Sequence, residues 1–176
     1  MIVTIKDMDS AINYSYSKLN KKIVIISITC LNDALPQFNI ENENILDILE
    51  LHFNDIEVQY GDYQIPKKED FKYLKSFVDK YKNLVEEIVV HCHAGISRSS
   101  ATASAICRYL NIDDSFIWDS GLYYPNKLVF KLALENLLLE IDNCELKDLY
   151  EKLYERLERV YELSPYYEEI EDMLRE

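Results

Sequence analysis

Residues 88–110 constrain the fold of this 176-residue chain more than any other stretch. Ile88-Val89-Val90 is a short apolar run of the kind that forms a buried strand, and Ala101, Ala105, Ile106 and Tyr109 suit a buried helix from Ser97 to Leu110. Only a tight loop containing Gly95 separates the two, so a strand must feed almost directly into a helix. The rest of the chain alternates in the same way. Ile2–Ile5 is a weak strand, Ile23–Thr29 a strong one, and Ile48–Phe53 a third, although Ile45–Leu51 would also tolerate a helix. Pro66 opens a helix on Phe71, Leu74, Val78 and Tyr81, and Pro125-Asn126 opens another that runs to about Leu139. Alternation of this kind predicts an α/β fold: a mainly parallel central sheet flanked by helices.

Composition supports a folded core and narrows the partners. Apolar residues make up 48% of the chain, and only 3 glycines and 4 prolines occur, which excludes a linker or a low-complexity segment. A net charge of −13 with no basic stripe repels nucleic acid and anionic membrane surfaces. No run approaches the roughly 18 apolar residues of a membrane-spanning helix. Met1–Asp7 lacks the basic and apolar regions of a secretory leader, so a soluble cytoplasmic protein is expected. In that setting Cys30, Cys92, Cys107 and Cys144, which show no CxxC spacing, are expected as free thiols.

Residues 142–176 differ in character from residues 1–141 and read as an acidic helical C-terminal extension. Leu146, Tyr150, Leu153, Leu157 and Val160 form one stripe, with acid-before-base pairs Asp148/Lys152 and Glu155/Arg159 on other faces. Pro165 breaks this helix, and Tyr166–Glu176 can form a short further one. The stripe is expected to cover one side of the main domain. Self-association through the same face is the alternative. Because the extension lies far in sequence from the chemistry-bearing residues, turnover of a small substrate is expected to be largely independent of it.

That chemistry lies in His91-Cys92-His93-Ala94-Gly95-Ile96-Ser97-Arg98-Ser99-Ser100. At a strand–loop–helix junction, unpaired backbone N–H groups and the positive end of the helix dipole face a common point, which makes an anion cradle. His93 to Arg98 would build it, and Arg98 can fold back to hold two oxygens of the anion. The same field favours a thiolate, so Cys92 becomes a nucleophile beneath a bound phosphate. Ser99 can donate a hydrogen bond to that sulfur when it leaves. A shared metal for His91, Cys92 and His93 is disfavoured, because alternate residues of an extended chain point to opposite faces. No metal and no cofactor are expected.

The string His91-Cys92-x-x-Gly95-x-x-Arg98-Ser99 resembles the signature of the cysteine-dependent protein tyrosine phosphatase superfamily. Ala94-Gly95-Ile96-Ser97-Arg98-Ser99 looks most like its dual-specificity branch. The resemblance implies a phosphatase fold over residues 1 to about 140 and hydrolysis of phosphoproteins through a cysteinyl-phosphate. It also implies an aspartic acid about 30–40 residues before the cysteine as general acid. Asp55, in His52-Phe53-Asn54-Asp55 after a strand, is favoured, with Asp62 beside Gly61 as the alternative. Pro125-Asn126 resembles the pair that braces the catalytic loop in that branch, although Asn126 serves equally as a simple helix cap. His91, like its counterpart in the family, would orient the loop. His93 is expected at an exposed, variable loop position.

Phosphotyrosine is the expected substrate, with phosphoserine and phosphothreonine as further candidates. Phosphoinositide-cleaving relatives carry lysines in the loop, whereas this one has His93, Ala94, Ile96 and Ser97. A strict phosphotyrosine phosphatase and a non-catalytic phosphoprotein-binding module of the same fold remain the alternatives. Cys30 closes the second strand. If that strand runs parallel to Ile88–Val90, Cys30 lies at the same sheet edge as Cys92, either as a redox partner or as a plain free thiol.

Overall fold

The computed structural model describes residues 1–61 and 63–162, so Asp62, Pro165 and the helix expected over Tyr166–Glu176 lie outside the described residues. Strands β1 (Ile2–Lys6), β2 (Ile23–Thr29), β3 (Ile45–His52) and β4 (Glu87–His91) form one sheet in the order β1-β4-β2-β3. Every pairing is parallel, with Ile5 opposite Val90, Ile26 opposite Val90 on the other side, and Thr29 opposite His52. The helices are α1 (Met8–Tyr16), α2 (Leu74–Tyr81), α3 (Arg98–Tyr109), α4 (Ser115–Trp118), α5 (Lys127–Asn136) and α6 (Asn143–Glu162). Among the described residues no helix is long and apolar enough to cross a membrane.

The sheet is covered unequally on its two faces. Along β2 every residue is buried, and the alternation of side chains divides them. Val24, Ile26 and Ile28 enter the main core with Leu74, Ile106, Phe130 and Leu134 from the helices, whereas Ile23 and Ile25 meet Leu19, Tyr14 and Phe38 in a smaller cluster. A run apolar on both faces is what a central parallel strand requires.

Several boundaries differ from the sequence expectation. β3 begins at Ile45 rather than Ile48 and ends at His52, because its first residues pair with Ile23 and Ile25 of β2. The segment after Pro66 is a single 3-10 turn (Lys68–Phe71), and α2 starts only at Leu74. α5 stops at Asn136, where Leu137 caps it and Leu138 takes a φ of +60°. α1 was not expected at all. Only Ala11 and Ser15 of α1 are buried, too few to register as a stripe. Instead, Asp7 caps the helix by accepting from Ser10 N at 2.8 Å and Ser10 Oγ at 2.6 Å, and Tyr14 Oη reaches the buried carboxylate of Glu87 at 2.7 Å.

α6 packs on the chain's own domain. Leu146, Tyr150 and Leu153 are buried in the main core, and the Trp118 ring meets Tyr150 and Phe130 edge-on at centroid distances of 5.4 and 5.3 Å. Burial of such a side chain contributes about 1.5–3 kcal/mol, which suffices to hold a helix that would be marginal alone. Arg108 pairs with Asp114 and with Glu145 of α6 at 3.0 Å each, and Arg156 donates to the Trp118 carbonyl at 2.7 Å. At the outer end of the stripe Val160 is half exposed and sits against Gly121, where a Cβ would lie 2.8 Å from its Cγ2.

Candidate active site

Parallel strands present their carboxyl ends along one edge, and crevices there are where open α/β sheets bind ligands. Asp7 follows β1, Cys30 follows β2, Asn54 and Asp55 follow β3, and Cys92 follows β4. β4 is an inner strand, so the loop after it is flanked on both sides. The parallel pairing of β2 with β4 places Cys30 at the same edge as Cys92.

Gly95 makes the loop geometry possible. Its φ is +71°, and a Cβ there would lie 2.6 Å from Asp7 N and 2.8 Å from the Lys6 carbonyl carbon. Backbone therefore touches backbone at the β1–α1 corner, and any side chain would force the two apart. Met8 N donates to the His93 carbonyl at 3.1 Å, while Tyr124 N and Asn126 N hold the carbonyls of Ile96 and Ser97 at 3.1 and 3.4 Å. Ser100 Oγ donates back to the Ser97 carbonyl at 2.9 Å and to that of Ile96. The carbonyls of His93, Ile96 and Ser97 are thus bonded to the surrounding elements. By contrast, among the described residues none of the backbone N–H groups of His93 to Ser97 has a protein acceptor. α3 begins at Arg98 with no side-chain cap from Ser97, which adds its own first-turn donors to the same place.

Cys92 is buried at 2% exposure, with its Sγ 3.1 Å from Ser99 Oγ. Arg98 is 4% exposed. Its Nη1 donates to the Phe53 carbonyl at 3.0 Å and to Cys30 Sγ at 3.4 Å, which fixes the guanidinium plane across the strand ends. Its Nε is buried without a hydrogen-bond partner among the described residues. The nearest carboxylate oxygen, Asp55 Oδ2, is 3.9 Å away. A buried guanidinium N–H without an acceptor is costly, and an oxyanion is the ligand that would satisfy it.

His91 is fully buried and shares a 2.8 Å hydrogen bond between its Nε2 and Ser27 Oγ, while Phe38 meets its ring edge-on at 5.4 Å. Burial holds its pKa below the ordinary imidazole range, and the charge of Arg98 acts in the same direction. A neutral ring locked to β2 fixes the backbone at the point where the loop begins. His93 and Ala94 are exposed on the loop, as is Ile96, and Ser97 is half-buried. Among the described residues no three His, Cys, Asp or Glu side chains stand close enough to share a metal ion.

Asp55 reaches the loop from the end of β3. Its Oδ1 accepts from Ser97 Oγ at 2.8 Å and from Asn126 Nδ2 at 2.9 Å, and its side chain keeps 37% of its surface exposed. Asn126 does two jobs: its Oδ1 caps α5 by accepting from Val129 N at 3.0 Å, and its amide orients Asp55. Asn54 N donates to the Gln64 carbonyl at 3.1 Å and the Asn54 side-chain Oδ1 accepts from Gln64 N at 3.0 Å, which closes the intervening excursion at its base.

Three contributions were not legible in the sequence. The Phe53 carbonyl and the Cys30 sulfur position Arg98, and Glu57 accepts from Lys127 N at 2.7 Å, tying the Asp55 loop to the start of α5. The third comes from α6, which lies far from the loop in sequence. Tyr154 of α6 lines the cleft beside Asp55 and Ser97, and Tyr150 Oη donates to the Pro125 carbonyl at 2.9 Å, next to Asn126.

The model of the dual specificity phosphatase catalytic domain matches residues 10–115, a span that contains Asp55 and the whole Cys92–Arg98 loop. Similar solved structures include the human tyrosine phosphatase-like serine/threonine/tyrosine-interacting protein, with 22% identity over 74% of this chain and 79% of that one at a TM-score of 0.44. Human DUSP28 is 11% identical over 92% and 95% of the two chains, with a TM-score of 0.44. Tk-PTP in its active form is 13% identical over 88% and 90%, with a TM-score of 0.40. No curated protein sequence matches the chain. Since the family model spans more than half of its length, the chain belongs to the dual specificity phosphatase catalytic-domain family, a branch of the cysteine-dependent protein tyrosine phosphatases.

Proposed function

We propose that this protein hydrolyses phosphotyrosine in protein substrates, with phosphoserine and phosphothreonine as further substrates, through a cysteinyl-phosphate intermediate. The observation that carries the reading is the buried Nε of Arg98, without a partner among the described residues, beside the Cys92–Ser99 pair. A cradle of free N–H groups and a fixed guanidinium edge suits a dianionic phosphate. The sulfur beneath it suits attack rather than binding alone.

In the first step the Cys92 thiolate attacks phosphorus, the ester P–O bond breaks, and the departing oxygen takes a proton from Asp55. In the second, water attacks phosphorus, Asp55 takes its proton, the S–P bond breaks, and inorganic phosphate leaves. Ser99 donates to the sulfur that leaves in this second step, at the 3.1 Å already present. Arg98 holds two equatorial phosphate oxygens throughout, so its contribution is greatest when charge spreads over them. These steps need no metal or cofactor.

Turnover of a chromogenic aryl phosphate by the wild type and by Arg98→Lys tests the proposal. An ammonium cannot reproduce the planar two-bond clamp, nor keep the contacts to Phe53 and Cys30. The expected loss in kcat/KM is about 10²–10³. Near-normal rates in Arg98→Lys would contradict the assignment of the loop. A wild type that binds vanadate but turns nothing over would make the chain a binding module instead.

A further inference from the structure

Beside the phosphate cradle lies an open cleft of about 410 Å³. It shares Ile96 and Ser97 with the loop and Asp55 with the acid, and its far wall is made by Tyr124 and Tyr154. Ile96, Tyr124 and Tyr154 are 44%, 42% and 45% exposed, so three large apolar side chains present surface side by side next to the candidate nucleophile. Two of them are linked to each other and to the loop. Tyr124 N is bonded to the Ile96 carbonyl, and the hydroxyls of Tyr124 and Tyr154 are 3.2 Å apart. Their rings lie 5.9 Å apart between centroids and are splayed by 50°. Below them the buried Tyr150–Pro125 bond fixes α6 to the segment that carries Asn126.

We infer that Ile96, Tyr124 and Tyr154 form a side pocket that receives an aromatic side chain next to the phosphorylated residue of a peptide substrate, so that the C-terminal helix takes part in choosing the substrate. The inference rests on the phosphatase reading above. Because the pocket and the cradle share residues, its occupant belongs to the molecule whose phosphate lies over Cys92. Two splayed rings offer a face and an edge, the geometry in which aromatic side chains attract one another. Charge decides against an acidic neighbour: Glu57 lines the cleft, and among the described residues no Lys or Arg does.

The test uses the full-length protein and phosphotyrosine peptides identical except that the flanking residues are Phe, Gly or Glu. In the wild type kcat/KM for the Phe peptide is expected to exceed that for the Gly peptide by about fivefold to tenfold, through KM, which is what one such aromatic contact supplies. The Glu peptide is expected below the Gly peptide. Tyr154→Ala should bring the Phe-to-Gly ratio close to one, whereas Tyr154→Phe, which keeps the ring, should retain it. A wild-type ratio near one, or an undiminished ratio in Tyr154→Ala, overturns the pocket while leaving the phosphatase reading intact. Failure to turn over any peptide or an aryl phosphate overturns that reading and the pocket together.

Discussion

Cys92→Ser is expected to abolish turnover, with kcat falling by about 10⁴ or more, while binding of a phosphate analogue persists. Removal of the sulfur takes away the atom that forms the covalent bond, and a serine hydroxyl in the same place has no general base beside it. His91 is not available for that task, since its Nε2 is bonded to Ser27 and its ring is buried behind the loop. The cradle itself survives the substitution. Its N–H groups belong to His93 through Ser97, and Arg98 is positioned by Phe53 and Cys30 rather than by Cys92. Vanadate titration alongside aryl phosphate kinetics measures both halves. Steady-state activity in Cys92→Ser above contamination would contradict covalent catalysis, and lost vanadate binding would mean that the sulfur also holds the loop open.

Asp55→Asn is expected to lower kcat on aryl phosphates by about 10²–10⁴, the usual share of a positioned acid–base group. The amide would still take hydrogen bonds from Ser97 and Asn126, so the loop should stay in place and KM should change much less than kcat. Asp62→Asn serves as the comparison. A larger loss there than in Asp55→Asn would transfer the acid to Asp62.

The parts of this account legible in the sequence are those written in consecutive residues. Cys92, Gly95, Arg98 and Ser99 stand in one short string, and a strand on one side with a helix on the other leaves such a loop little freedom. β2 was legible because a strand buried on both faces reads as a nearly continuous β-branched apolar run, interrupted only by the small Ser27. The position of Asp55 at a strand end was legible, yet its contact with Asn126 was not, since Asn126 lies 71 positions away and only the fold brings them together. α1 leaves no hydrophobic pattern in the sequence for a different reason. Its stability rests on one capping carboxylate and a reach to Glu87, and neither produces hydrophobic periodicity. The stripe on α6 was plain, and its burial follows. Its Tyr150 and Tyr154 lie 25 and 30 positions from Pro125 and Tyr124, so their arrival at the cleft depends on how α6 crosses the domain.

The central claim is the covalent step, and trapping the phosphoenzyme tests it most directly. Acid quench during turnover of an aryl phosphate, followed by mass spectrometry of the digested protein, should find one phosphate on the peptide that carries Cys92. Asp55→Asn should still yield that species, because an aryl leaving group departs with less help than water needs to attack. Turnover with no phosphate on Cys92 at any quench time, or phosphate found instead on another residue, would contradict it.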